Sequence, residues 1–393
     1  MFGWELPPHN SGGLGVACYG LSKALTEEGK EIIFVLPKKL ADTNCNFLKI
    51  VNPGTLYKRL YSFNSPLYPY VTERKYNSMF FGSQKIYGNN LLEEVLRYAD
   101  FGAVVAREEN FDVIHAHDWL SFGAGVNAKR ESGKPLIVHV HATEFDRGGG
   151  EGVNDIVYKI EREGMEQADK VIAVSHFTKD IIVRNYGISP EKIEVVHNGV
   201  DSSEEASVLS LSHKIKEEGK KLVLFVGRLT LQKGPDYFIK AAKKICDYSN
   251  DICFVISGSG EMEQFLIEET AKERLSHRIL FTGFLRGTEL KEIYRMADLF
   301  VMPSVSEPFG ITPLESLING TPVLISKQSG VSEVISHALK VDFWDIDDMA
   351  DKILAALNYN SLSCCLIEHG RREAVEATWN NAAKKCINIY DAL

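Results

Sequence analysis

Short apolar runs with no polar face alternate with amphipathic stretches from one end of this chain to the other. In the first half they read as strands at Glu31–Pro37, Asp112–His117, Leu136–His141, Lys170–Ser175 and Lys192–His197. The second half repeats the rhythm at Lys221–Gly227, Ile252–Ser257, Arg278–Gly283, Leu299–Pro303, Pro322–Ser326 and Leu339–Phe343. A strand that is apolar on both faces must be covered on both. Strand–helix–strand order then predicts parallel sheets with right-handed crossovers. The chain has 393 residues, too many for one ordinary core. The pattern therefore predicts an α/β protein of two Rossmann-like, doubly wound domains facing a cleft. An N-terminal domain is expected over 1–200 and a C-terminal domain over 201–370. The polar stretch Asp201–Lys221 joins them, and a last helix (Arg371–Leu393) packs back on the first domain. In such folds ligands sit beyond the carboxyl ends of the strands.

Bulk properties exclude several classes. The chain is 45% hydrophobic and 25% charged without a biased tract, which is globular composition. A net charge of −9 argues against nucleic acid or an anionic membrane as the main partner. No apolar run reaches the roughly 18 residues of a transmembrane helix, and Met1-Phe2-Gly3-Trp4 does not open a signal peptide. No integral membrane association is expected. Seven cysteines, an odd and scattered count with one vicinal pair (Cys364, Cys365), read as reduced thiols of a cytoplasmic protein, with no zinc pattern among them.

Two segments break the rhythm. A glycine loop, Ser11-Gly12-Gly13-Leu14-Gly15, should follow a central first strand, yet only Met1-Phe2-Gly3 precede the Trp4-Glu5-Leu6-Pro7 turn. A buried strand needs about five or six residues. The chain is accordingly expected to begin too late, by truncation or a misassigned start, and to lack most of strand one. Residues 42–100, rich in Tyr57, Tyr61, Phe63, Tyr68, Tyr70 and Tyr76, read as an irregular elaboration of the first domain. Plain packing is the simpler use of these aromatics, and stacking on sugars the other.

The chemistry-bearing motifs lie at predicted strand ends. The strand around Leu299–Pro303 runs into Glu307-Pro308-Phe309-Gly310-Ile311-Thr312-Pro313-Leu314-Glu315, whose second carboxylate sits about a turn inside a helix opened by a proline. Upstream, strand Lys221–Gly227 ends in Gly227-Arg228 and continues to Lys233-Gly234. Two cations and two hydroxyl-binding carboxylates are the groups needed to hold a sugar diphosphate, Arg as a planar fork and Lys as a point charge. The free N–H groups at Gly12 and Gly13 favour an anion, although the loop is neither a dinucleotide fingerprint nor a Walker motif. Alternation puts His115 and His117 on one strand face and His139 and His141 on one face of the next. Histidines satisfied in polar strand ends, with one or two touching substrate, are favoured over a metal site, and no metal is assigned. Asn198 lies at the crossing between domains, where its amide can reach the cleft. Asp345-Ile346-Asp347-Asp348 is read as a helix cap, and Gly258-Ser259-Gly260 as a tight turn.

In this order the segments Ser11–Gly15, His117-Asp118-Trp119, Asn198-Gly199-Val200-Asp201, Gly227-Arg228 to Lys233-Gly234, and Glu307–Glu315 resemble the GT-B retaining glycosyltransferases of family 4. The likeness spans nearly the whole chain. The opening segment and His139 to Arg147 look most like bacterial glycogen and starch synthase members. The resemblance implies a hexosyltransferase that moves glucose from ADP- or UDP-glucose to an α-glucan acceptor, with retained configuration and neither metal nor cofactor. It implies that Gly12 and Gly13 meet the distal phosphate and that Arg228 and Lys233 bind the diphosphate. Glu307 would meet the sugar near C3, Glu315 the ribose, and His117 and Asn198 the sugar. Gly283, Phe284 and Leu285 would face the base, and Gly310, Ile311 and Thr312 would complete the donor site. The rivals are the same fold with another acceptor (a polysaccharide, a lipid-linked sugar or a small glycoside), a sugar-nucleotide 2-epimerase, and a non-catalytic sugar-nucleotide binder.

Overall fold

A computed structural model describes residues 1–7, 12–37, 45–52, 91–148, 152–201 and 219–393. Ser11, the six aromatics from Tyr57 to Tyr76 and most of the expected linker lie outside the described residues. The chain forms two compact units. The first comprises Met1–Glu144, Val153–Gly199 and Trp379–Leu393, and the second Phe145–Gly152 and Val200–Thr378. Both are built on parallel sheets, as the apolar runs require.

In the first unit β1 (Ile33–Val35) pairs with β2 (Lys49–Val51), and β3 (Ile114–His117), β4 (Leu136–Val140), β5 (Lys170–Ala173) and β6 (Ile193–Val195) follow one another in register. Met1–Gly3 fill the position between β1 and β3. Phe2 bridges Val35 on one side and Ala116 on the other, both in parallel. Its N–H donates to His115 O at 2.8 Å, and its carbonyl accepts from His117 N at 2.9 Å. The Tyr98 hydroxyl, 2.9 Å from Gly3 O and 2.8 Å from Val35 O, ties this short segment to the helix Leu91–Glu108.

That helix and β2 are absent from the sequence-based expectation, which treats 42–100 as irregular. Leu91, Val95, Tyr98, Phe101 and Val105 are all buried, a helical stripe. Its onset directly after a stretch of sequence without apolar periodicity, and the three-residue length of β2, hide both elements from the pattern.

The second unit has one sheet in the order β12 (Leu339–Val341), β11 (Val323–Ser326), β10 (Leu299–Met302), β7 (Lys221–Val226), β8 (Ile252–Ser257), β9 (Ile279–Gly283). Val223, Phe225, Phe254, Ile256, Val301 and Leu324 form its core with Phe238 and Ile239 of the helix Pro235–Cys246. Asp345 caps the helix Ile346–Asn358 by accepting from Asp348 N at 3.0 Å, the use read for the Asp345–Asp348 run.

The expected single C-terminal helix is in fact two, Asn360–Glu376 and Trp379–Asp391. The break falls where Val200 N–H donates to Ala377 O at 2.9 Å and Val200 bridges Thr378. A carbonyl taken by a neighbouring strand segment cannot propagate the helix.

Helix Leu91–Glu108 crosses helix Trp119–Ser132 at Gly102, where an added Cβ would lie 2.1 Å from the Ala124 carbonyl oxygen. Alanine in a helix interior ordinarily gains roughly 1 kcal/mol over glycine. Backbone cannot move aside as a side chain can, so Gly102→Ala is expected to lose about 1–3 kcal/mol net. Urea denaturation checks the sign, and an unchanged or higher midpoint would contradict the close crossing.

Candidate active site

In the second unit the chain leaves β7 through Gly227-Arg228-Leu229 and makes a 3-10 turn at Leu231–Lys233. Gly234 closes it at φ +62°, and a Cβ there would press on Pro303 O at 2.2 Å. Glycine is thus required twice over, by conformation and by space. The turn is joined to the exit of neighbouring β10 by Val305 N–H donating to Gln232 O at 2.9 Å. Lys233 Nζ consequently reaches Glu307 Oε2 at 2.6 Å, and the same oxygen accepts from Ser304 Oγ at 3.1 Å. Glu307 is only 6% exposed, and its backbone is pinned between Gln328 O and Gly330 N. Arg228 donates to Gln232 Oε1 at 3.3 Å.

Gly310 ends the Pro308-Phe309-Gly310 turn at φ +99°, with Glu307 Cγ 3.2 Å from where its Cβ would be. Ile311 and Thr312 then open the helix Thr312–Ile318, with Pro313 in its first turn. Glu315 projects from that turn, and its Oε2 accepts from the Tyr294 hydroxyl at 3.1 Å. The residue as a whole is half-buried, but burial of the carboxyl group raises its pKa against the lowering pull of Tyr294 and Lys291. At the exit of β9, Gly283 takes φ +71°, Phe284 is 45% exposed, and Arg286 lies 4.8 Å over the Phe284 ring. Leu285 is half-buried. The structure thus brings Lys233 and Glu307 into direct contact, which their separation in sequence does not announce.

In the first unit the histidines assemble at the ends of β3 and β4. His115 stacks on His117 with centroids 4.4 Å apart, and His139 on His141 at 4.3 Å. Hydrogen bonds cross between the strands, His115 Nε2 to His139 Nδ1 at 3.2 Å and His117 Nδ1 to His141 Nε2 at 3.0 Å. The register His117↔His139 makes these pairs meet. Tyr390 OH lies 2.7 Å from His115 Nδ1 and closes the far side of the stack. Burial drives all four imidazoles well towards the neutral form, His141 down to about 3, and the neighbouring histidines push His115, His117 and His139 the same way. His117 Nε2, His139 Nε2 and His141 Nδ1 have no hydrogen-bond partner among the described residues.

Gly12 caps the helix Gly13–Glu27, and a Cβ on Gly13 would meet nothing within 4 Å. Asn198 is buried two residues beyond Val196, near the end of the first unit's second segment.

Two sets of residues among those described bring potential ligand atoms within 4.8 Å of one another, Cys18–His117–His141 and His115–His117–His139. Sequence reasoning allowed no cysteine near the histidines; Cys18 arrives because the helix after the glycine loop packs there. In each set, however, two histidines are hydrogen-bonded to one another, whereas metal-ligating imidazoles direct their second nitrogen to a carboxylate, carbonyl or water. Tyr294, Tyr390, Ser304 and Gln232 were also missed, since none carries a local spacing signal.

Four imidazoles held neutral in the folded state, with ordinary values near ~6.5 in the unfolded chain, mean that unfolding takes up protons below that pH. Stability should therefore fall as pH drops from about 6.5, by up to roughly 1.4 kcal/mol per pH unit for each such histidine. Urea midpoints between about pH 7 and pH 5 should decline, and His139→Gln should flatten the slope by about one proton. A flat wild-type profile would rule out the buried neutral stack.

Comparison with known proteins agrees with this layout. Residues 11–204 match the family described as Glycosyltransferase Family 4, and residues 211–373 the one described as Glycosyl transferases group 1. An uncharacterized glycosyltransferase of Methanocaldococcus jannaschii is 30% identical over 99% of this chain and 97% of its own length. A glycogen synthase of Mycobacterium tuberculosis is 28% identical over 85% of this chain and 79% of its own. Among solved structures, sucrose-phosphate synthase of Thermosynechococcus elongatus superposes with a TM-score of 0.78 at 18% identity, covering 100% of this chain and 98% of that one. Anabaena HepE, solved in complex with UDP-glucose, gives 0.72 at 16%, covering 100% and 99%. Parallel sheets in two Rossmann-like units, a relative of nearly equal length and the two family matches lead to one conclusion: this chain is a GT-B glycosyltransferase of family 4.

Proposed function

We propose that this transferase moves a hexosyl unit, glucose, from a nucleoside diphosphate sugar to a carbohydrate acceptor, an α-glucan, with retention of anomeric configuration. The observation that carries this is the Lys233–Glu307 contact at the exits of adjacent strands β7 and β10, a cation for the diphosphate beside a buried carboxylate for sugar hydroxyls. The glycogen synthase relative supports glucose and a glucan, and the UDP-glucose complex of the Anabaena protein supports a nucleotide-sugar donor.

In this mechanism Lys233 and Arg228 neutralise the charge that develops as the bond from C1 to the diphosphate oxygen breaks. The acceptor hydroxyl attacks C1 from the same face, and its proton passes to an oxygen of the departing phosphate. Glu307 holds the sugar, Glu315 the ribose, Gly283 to Leu285 the base, and Gly310 to Thr312 the backbone contacts of the donor. In the first unit Gly12 and Gly13 offer N–H groups to phosphate, while His117 and Asn198 face the sugar. The protein supplies positioning and preorganised charge, and no metal is required. We place the enzyme in the cytoplasm; its seven cysteines are all free, and among the described residues no helix is long and apolar enough to cross a membrane.

Nucleoside diphosphate release from ADP-glucose and UDP-glucose, each with and without a maltooligosaccharide primer, tests the proposal. Primer-dependent release from either donor is expected. Release without primer would indicate an epimerase or hydrolase, and no release with any donor and acceptor would leave a binding protein. Lys233→Ala should reduce turnover by about 2–4 kcal/mol of transition-state stabilisation. An unchanged kcat would remove Lys233 from the leaving-group site. Glu315→Ala should raise the donor KM, and lost turnover at normal donor affinity would refute its ribose role.

A further inference from the structure

Asp118 stands directly after His117 with φ 59° and ψ 167°, a region open essentially to glycine alone. Among the described residues only Arg274 shares a positive φ without being glycine. Arg274 has an ordinary reason, since it ends the helix Glu263–Lys272 and its N–H and that of Leu275 satisfy Ala271 O and Thr270 O. Asp118 has none of that kind. It occupies the N-cap of helix Trp119–Ser132, a position that aspartate favours because its carboxylate accepts from the first turn, yet it makes no such bond. Its carboxylate points back to the neighbouring strand end instead. Oδ1 accepts from His141 N at 2.6 Å and from Ala142 N at 3.2 Å. Backbone strain and a forgone cap are both retained at this one residue.

The contacts around it close a ring. Asp118 N–H donates to His139 O at 3.0 Å, and His117 O accepts from Ser121 Oγ at 2.7 Å, so the backbone on either side of the strained residue is held. From Asp118 the path runs through its carboxylate to the His141 backbone, through the His141 ring to the His117 ring at 3.0 Å, and back along the chain to Asp118. The His117–His141 pair is thus held at His141 by the Asp118 carboxylate and at His117 by the backbone next to it. We propose that Asp118 is a positioning residue that sets the placement of the His117 imidazole for transfer by clamping His141 to it. This rests on the assignment of His117 to the sugar.

Asp118→Gly is the informative change. Glycine adopts this backbone without strain, so the fold should be kept and Tm unchanged or raised, while the clamp is lost. Turnover should drop on the order of 10–100-fold with donor KM little altered, the size expected for a misplaced group. Asp118→Asn keeps an oxygen acceptor for the two N–H groups and should restore most of that loss. In a His117→Ala background Asp118→Gly should have no further effect on kcat. Wild-type turnover in Asp118→Gly, or equal losses in both backgrounds, overturns the proposal. Should His117→Ala itself retain full turnover, the sugar assignment fails, and the clamp is then judged without activity. The imidazole nitrogen resonances of His117 and His141 must shift in Asp118→Gly, and unshifted resonances overturn it.

Discussion

Parallel sheets covered on both faces leave a strand almost nowhere to carry chemistry except its ends. Nearly all interior positions of β3, β4, β7, β8 and β10 are buried, and an unpaired polar side chain there would carry the full desolvation penalty. Most of the polar residues singled out above lie near the carboxyl ends, where loops can satisfy them, while His115, inside β3, is satisfied by His139 and Tyr390. His117 and His139 at the ends of β3 and β4, Lys233 beyond β7 and Glu307 beyond β10 all follow from this one constraint. The layered fold thus sets the location of the site before any functional residue is chosen.

The two units handle buried polarity differently. In the second, a full charge is met by a full charge, Lys233 with Glu307, and a hydroxyl from Ser304 adds a further bond. In the first, four imidazoles share burial by staying uncharged and bonding to one another and to Tyr390. An ion pair keeps a strong local field at the exits of β7 and β10, and a neutral stack offers lone pairs and N–H groups without net charge.

Much of this was legible in the sequence. The strand runs were found because residues such as Leu222 to Phe225 or Ile252 to Ile256 are apolar without alternation, a pattern that only a doubly covered strand demands. The placement of Glu307 and Glu315 around a proline-opened helix was likewise readable. Contacts between distant positions were not. Tyr390 meets His115 across 275 positions and Lys233 meets Glu307 across 74, and no local spacing encodes either. The Ala377–Thr378 break is set by Val200, not by a helix-breaking residue. Nothing in the sequence around Asp118 sets its backbone apart, and only its φ does.

The composition of the first unit bears on how the chain is made. Its sheet begins at Met1–Gly3, yet Trp379, which packs against Gly20, and Tyr390, which closes the histidine stack, belong to a helix translated after the whole of the second unit. The second unit's sheet is complete once β12 has emerged, so on the ribosome it can mature while the first still waits for its final helix. The contact that closes the histidine stack is therefore made last, since a nascent chain cannot form it before synthesis has passed Tyr390.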